Sequence, residues 1–301
     1  MKAIVLDRFG GPDVLHEAEA ELPEPGPGQV RVRVRAAGVN PLDGKIRSGA
    51  LQAVFPTPLP AIPGLELAGV VDALGDGVSE VAVGDEVLGF ADTGSYAEYA
   101  LASTFAVKPD ALSWEQAVTL PVAGEAAERV LRQLGVSAGQ TLLIHGAAGG
   151  VGTLAVQLAV AAGVRVIATA GPGNQDYLAS LGATPTPYGP GLVERVRALA
   201  PQGIDAAFDV AGKGALPDLI ELRGGTERLV TIADFAAEQL GVTFSAVQER
   251  SASDLAALAD LAAQGRLSTT VAATYPLAEA DAAHRASDAG HVRGKLVLTI
   301  P

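Results

Sequence analysis

The chain has 301 residues, 49% hydrophobic and 18% charged, a balance that belongs to a folded protein with more than one domain rather than to a disordered chain. Lys and Arg number 21 against 34 Asp and Glu, and the formal net charge of −13, with no basic cluster, argues against nucleic acid or an anionic membrane surface as a partner. The absence of cysteine removes disulfides, thiol nucleophiles, thiolate zinc sites and cysteine-ligated iron–sulfur clusters.

The first residues, MKAIVLDRFG, hold only a short apolar run before Asp7 and Arg8, too little for a secretory core. The longest apolar stretch, 154–163, is broken by Gln157 and falls far short of the ~20 residues that cross a bilayer. A cytoplasmic protein with no membrane span is expected.

Residues 1 to about 110 predict short strands between turns. QVRVRVRAA at 29–37 alternates Val with Arg, the period of a half-buried strand; 69–73 and 85–90 are further candidates. Pro and Gly cluster between them, at 23–28 and 56–64. From 113 the pattern changes. Ser113 with Gln116 reads as a capping box, and helical periodicity runs on to 134–135. Strands are then predicted at 141–145, 164–169, 204–210, 228–232 and 243–247, with helices between, which implies βαβ units and a parallel sheet. The tail predicts a helix at 253–264, an extended run at 271–276, a helix at 277–287 and a strand at 295–300, and is expected to return to the first lobe.

The sharpest motif lies in TLLIHGAAGGVGTLAVQLA, 141–159: strand, glycine turn, helix. Such a turn lets backbone approach a pyrophosphate and offers it the amides and positive dipole end of the next helix. A close strand–helix turn with no ligand is the competing reading. An acid that would read the ribose of NAD is missing from ATAGPGN at 168–174, which favours NADP, yet no Arg or Lys stands between 171 and 190 to grip a 2′-phosphate.

Several motifs in order resemble the zinc-independent quinone oxidoreductase branch of the medium-chain dehydrogenase/reductase superfamily. They are AAGVNPLDGKIRSG from Ala36, IPGLELAGVV at 62–71, VGDEVLGF at 83–90, GSYAEYA at 94–100, LPVAG at 120–124, LLIHGAAGGVG at 142–152, SLGA at 180–183 and HVRGKLVLTI at 291–300. The resemblance implies an α/β protein: a GroES-like β-rich catalytic domain, 1–112 and 251–301, plus a Rossmann doubly wound parallel-sheet domain, 113–250, with NADP(H) and substrate in the cleft between. It implies a homodimer paired through the edge near 243–247.

The resemblance places Asn40 beside the nicotinamide as the catalytic and cofactor-binding residue, with Asp43 and Arg47 on the same loop. Asp43 is equally a turn-stabilising carboxylate. Ala148, Gly149, Gly150 and Val151 would offer amides to the pyrophosphate; Gly171, Asn174 and Tyr188 would lie near the 2′ position, where an exposed loop tyrosine is the alternative. Ile232 to Phe235 would border the nicotinamide and pocket, and Leu51, Phe55, Phe90 and Phe235 the acceptor, with ordinary core packing as the alternative for these four. Glu66 resembles the acid that follows a glycine in the zinc-binding branch.

No metal is expected. The four histidines, 16, 145, 284 and 291, stand in separate contexts without ligand spacing, and each reads more simply as structural. Hydride delivery to an already activated acceptor needs less help from a Lewis acid than alcohol oxidation does. The family's threonine after LPVAG is replaced by Ala126, with Glu125 and Glu128 added; its Ser and Arg before Asn174 are Gly171 and Gly173; its tyrosine after R-x-G is Leu51. A proton donor therefore has no named candidate beyond the loop residue Lys45. The implied activity is NADPH-dependent reduction of a small apolar quinone or α,β-unsaturated carbonyl. The alternatives are an enoyl reductase of a biosynthetic pathway and a low-turnover nucleotide-binding or structural member of the fold; a cofactor-free lyase or cyclase is more distant.

Overall fold

The computed structural model describes residues 1–246 and 250–301. It divides into two compact units, Met1–Val122 with Arg250–Pro301, and Ala123–Glu249.

The first unit begins with an antiparallel ribbon of β1 (Lys2–Leu6) and β2 (Leu15–Glu19). Then come β3 (Val30–Val39), α1 (Pro41–Arg47), β4 (Glu66–Leu74), β5 (Glu86–Phe90), β6 (Tyr99–Ala102), β7 (Thr104–Val107) and α2 (Trp114–Ala117). The Val/Arg alternation of β3 does what its period dictates: Val30, Val32 and Val34 are fully buried while the arginines between them point outward or to partners. Burying each valine stabilises by roughly 1.5–3 kcal/mol. Ser113 caps α2, its hydroxyl accepting from Gln116 N.

The expected single helix from 113 to 135 is two. α2 ends at Ala117, and α3 (Pro121–Leu134) restarts at a proline, which has no N–H to continue the ladder. Because α2 packs on β3 and β4, the first unit runs to Val122 rather than to residue 112.

The second unit continues with β8 (Thr141–His145), α4 (Gly150–Ala161), β9 (Arg165–Ala170), α5 (Gln175–Ser180), β10 (Thr184–Pro187) and α6 (Leu192–Leu199). It is completed by β11 (Ala206–Asp209), α7 (Leu216–Arg223), β12 (Leu229–Thr231), α8 (Ala237–Leu240) and β13 (Thr243–Phe244). All neighbours pair in parallel in the order β10-β9-β8-β11-β12-β13, the doubly wound arrangement whose ligand sites lie beyond the strand C-termini. β8, in the middle, is buried throughout, and this is why it reads as an unbroken apolar run. Of the strand expected at 243–247, Thr243 and Phe244 form β13, and Val247 lies outside the described residues.

The tail returns to the first unit. After α9 (Ala252–Ala263), β14 (Val271–Pro276), α10 (Ala280–Ala289) and β15 (Lys295–Thr299) complete a sheet of order β14-β15-β3-β4-β5-β7, with β6 on β3. β15 runs antiparallel to β3, with Leu296 opposite Val39, so the last strand reaches the end of β3 where α1 begins.

Candidate active site

In the second unit the chain leaves β8 at His145 and turns at Gly146, whose φ is +83° and where a Cβ would stand 2.6 Å from that of Ala211. At Gly152 a Cβ would meet Ala147 Cα and Gly146 O, each at 2.6 Å. Ala148 is buried in the turn, Gly149 is the N-cap of α4, and no side chain caps the helix. The amides of Gly150, Val151 and Gly152 have no acceptor within the helix, so they and the helix dipole present a ready cradle for an anion.

Thr169, at the end of β9, braces this turn, and Asp209 and Thr231, at the ends of β11 and β12, brace the neighbouring one after β11. Thr169 Oγ1 accepts from Gly146 N at 3.2 Å and lies 2.9 Å from His145 Nδ1. Asp209, fully buried, accepts from Ala211 N and Gly212 N at 3.2 and 2.9 Å and from the Thr231 hydroxyl at 2.7 Å. Burial holds the His145 imidazole below its ordinary pKa and hence neutral.

The structure brings Tyr188 to Gly171. A Cβ on Gly171 would be 3.6 Å from Tyr188 Oη, and the Tyr188 ring, 46% exposed, meets His145 edge to face at 6.5 Å. Tyr188 is thus an exposed residue that lies beside His145 and Gly171. Gln175 Nε2 donates to the carbonyls of Ala170 and Gly171, and Asn174 precedes α5. Ile232 donates its amide to Asp209 O at 3.1 Å, whereas Phe235, 56% exposed, stacks on Phe244 at 5.5 Å. The added Glu125 is bound to Arg129 at 2.5 Å, and Arg129 also reaches Ser245 O.

In the first unit, α1, β4 and β15 bring four polar side chains together. Glu66 is fully buried. Its Oε1 lies 2.5 Å from Lys295 Nζ and 2.8 Å from Asn40 Nδ2, and its Oε2 accepts from Val122 N at 2.8 Å. Lys295 Nζ also donates to Asn40 Oδ1 at 2.6 Å. Gly38, on β3, makes the room: a Cβ there would stand 2.1 Å from Glu66 Oε1. Asp43 Oδ2 accepts from Asn40 N at 2.8 Å, the geometry of the turn-stabilising reading. Yet Asp43 is also buried, and its pKa rises to about 7, chiefly through burial, with the Glu66 charge adding to the rise. Tyr96 Oη donates to Asp43 Oδ2 at 3.3 Å and meets His284 Nε2 at 3.1 Å; His284 Nδ1 meets Arg47 NH1 at 2.7 Å, and Arg47 pairs with Asp288. Leu51 and Phe90 are buried, and Phe55 is half-exposed.

Two family models match: the alcohol dehydrogenase GroES-like domain over residues 26–110 and the zinc-binding dehydrogenase model over 181–298. The spinach chloroplastic quinone-oxidoreductase homolog is 30% identical over 96% of this chain and 95% of its own. The chain belongs to the quinone oxidoreductase branch of the medium-chain dehydrogenase/reductase superfamily. The quinone oxidoreductase of Coxiella burnetii superposes with a TM-score of 0.89 at 33% identity, covering 100% of this chain and 99% of that one. A mycobacterial protein solved in complex with NADPH gives 0.88 at 29% identity, with both chains fully covered at 100%. The protein is an oxidoreductase of this family.

The zinc in one matching family's description does not fit this member's donors. A zinc centre takes three or four ligands from Cys, His and carboxylate. The sequence has no Cys, Glu66 is committed to Lys295, Asn40 and Val122, and among the described residues no group of three His, Asp or Glu converges. No described helix is long and apolar enough to cross a membrane. Sequence reasoning passed over Lys295, Tyr96, Thr169 and Asp209, and it set His284 aside as structural. The first four lie inside a quoted motif or at a strand end and His284 lies on α10, but only a distant partner shows what each does.

Proposed function

We propose that the protein is a zinc-independent NADPH-dependent oxidoreductase that reduces a small apolar quinone or α,β-unsaturated carbonyl. The observation that carries this is the glycine turn before α4, where Gly146 and Gly152 leave no space for a Cβ and three helix amides stay open. Ala148 to Val151 would hold the pyrophosphate, with Gly171, Asn174 and Tyr188 at the adenosine end and Asn40, Ile232 and Phe235 toward the nicotinamide. The bound dihydronicotinamide supplies a hydride. The protein's part is to fix geometry and stabilise the negative charge that appears on the acceptor oxygen.

Purified protein is expected to oxidise NADPH when given 1,4-benzoquinone or an enone. Failure with both acceptors and with both NADPH and NADH overturns the reading. Tight NADPH binding by fluorescence titration without turnover would instead support the low-turnover alternative, whose motive is Ala126 and the glycines at 171 and 173. We also propose a homodimer through the outer edge of β13, the last strand of its sheet, to be checked by light scattering after gel filtration.

A further inference from the structure

Lys295 is 4% exposed. An ammonium has three hydrogens to place. One goes to Glu66 Oε1 at 2.5 Å and a second to Asn40 Oδ1 at 2.6 Å. The third meets no acceptor among the described residues. Asn40 is in the opposite condition. Both of its Nδ2 hydrogens face carboxylates, Glu66 Oε1 at 2.8 Å and Asp43 Oδ2 at 3.4 Å, so its amide has no donor left for an incoming oxygen. A buried ammonium hydrogen without a partner is costly unless a ligand supplies the acceptor.

We propose that Lys295, rather than Asn40, binds the oxygen of the reducible acceptor and stabilises the negative charge that reduction places on it; this rests on the oxidoreductase reading above. Hydride addition gives the acceptor two electrons and one proton, leaves the nicotinamide oxidised and leaves the acceptor oxygen anionic. Lys295 donates its free hydrogen to that oxygen, and solvent supplies the second proton.

The surroundings suit that task. Glu66 balances the ammonium and is itself fixed by Val122 N and by the space at Gly38. Lys295 sits on a central strand, its amide bound to Thr270 O at 2.9 Å, so Nζ is held before the acceptor arrives. Asn40 then acts as a spacer that aims Nζ, accepting one of its hydrogens. The second carboxyl nearby, Asp43, takes up a proton as the pH falls below about 7, so the cluster does not set two full negative charges beside a developing third.

Two variants and an optical probe test this. Lys295→Met removes the donor but strands Glu66. Lys295→Met with Glu66→Gln removes both charges and leaves a neutral pair that can fold. The double variant is expected to bind NADPH normally by fluorescence and to lose about 100-fold or more in kcat with 1,4-benzoquinone, the scale of losing one oxyanion donor. Independently of turnover, 4-nitrophenol bound to the wild type is expected to ionise at lower pH than in water, and bound to either variant it is not. Quinone reduction restored in the double variant would show that the pair is only a structural ion pair, and an unshifted nitrophenol in the wild type would overturn the proposal. If the wild type reduces no acceptor, the oxidoreductase reading falls while the nitrophenol titration still decides whether Lys295 binds an oxyanion.

Discussion

Arg47 NH1 stands 2.7 Å from His284 Nδ1. A guanidinium only donates, so Nδ1 accepts and the ring hydrogen lies on Nε2, aimed at Tyr96 Oη 3.1 Å away; the hydroxyl then points its own hydrogen at Asp43. The chain Arg47, His284, Tyr96, Asp43 therefore has one polarity, and it ends on the carboxyl that accepts Asn40 N.

That polarity couples stability to pH in two opposing ways. Asp43 has a pKa raised from 3.8 to about 7, so its contribution is fully present below 3.8 and is lost as pH rises through 7. His284 has a pKa lowered from 6.5 to about 4, chiefly by burial and then by Arg47, so its contribution is present above 6.5 and is lost as pH falls through 4. When fully developed these are on the order of 4 kcal/mol for Asp43 and 3 kcal/mol for His284. Between those limits the slopes offset one another. Urea unfolding of His284→Gln should show stability declining more steeply with rising pH than in the wild type; identical slopes would refute the coupling.

Tyr96→Phe deletes the hydroxyl at the centre of the chain. His284 Nε2–H loses its acceptor and Asp43 loses a donor, both in a buried setting. A loss of about 1–3 kcal/mol is expected, read as a lower urea midpoint with an unchanged m-value. An unmoved midpoint would mean that these contacts contribute nothing net.

Gly150→Pro probes the anion cradle with little disturbance of the fold. Proline is tolerated at the first helical position, and the residue before it must be extended, which Gly149 already is at φ −77° and ψ 177°. One open N–H disappears and the helix stays. NADPH affinity should fall about 10- to 100-fold, the worth of one hydrogen bond to a charged group, with circular dichroism unchanged. Unaltered affinity would place the pyrophosphate elsewhere.

Gly173→Arg supplies the cation that the 2′ loop lacks. A Cβ at Gly173 meets nothing within 4 Å, so the side chain has space. The ratio of NADPH to NADH affinity should rise by about tenfold, the effect of one added charge-assisted contact, while NADH affinity itself stays. Equal gains for both nucleotides would mean that the arginine meets the pyrophosphate instead.

The parts of this molecule written in local periodicity were readable from sequence. β3 announced itself by Val/Arg alternation, and β8 with its glycine turn by an apolar run and the glycines that follow. β10 was not readable, because Thr184–Pro187 carries two prolines; it survives as a strand only because it is a sheet edge, where a missing N–H costs little. Lys295 was illegible for a different reason. A lysine at the start of a strand reads as a solvated charge, and its counter-charge is Glu66, most of the chain away and brought near only by the pairing of β15 with β3 and of β3 with β4. Asp43 was half legible: its spacing from Asn40 revealed the turn, but burial and the neighbouring Glu66, which together make it titrate near neutrality, are properties of the folded cluster.

The missing Cβ at Gly38 binds two positions into one heritable unit. Any side chain at 38 collides with the Glu66 carboxylate, and that carboxylate in turn anchors the first turn of α3 through Val122 N. A side chain at 38 is thus costly while that acid stays pinned by Lys295, Asn40 and Val122, and less so once the carboxylate is gone. Among descendants of this chain, alanine at 38 should arise only where 66 has already given up its carboxylate, and there Lys295 will have lost its counter-charge and its present work.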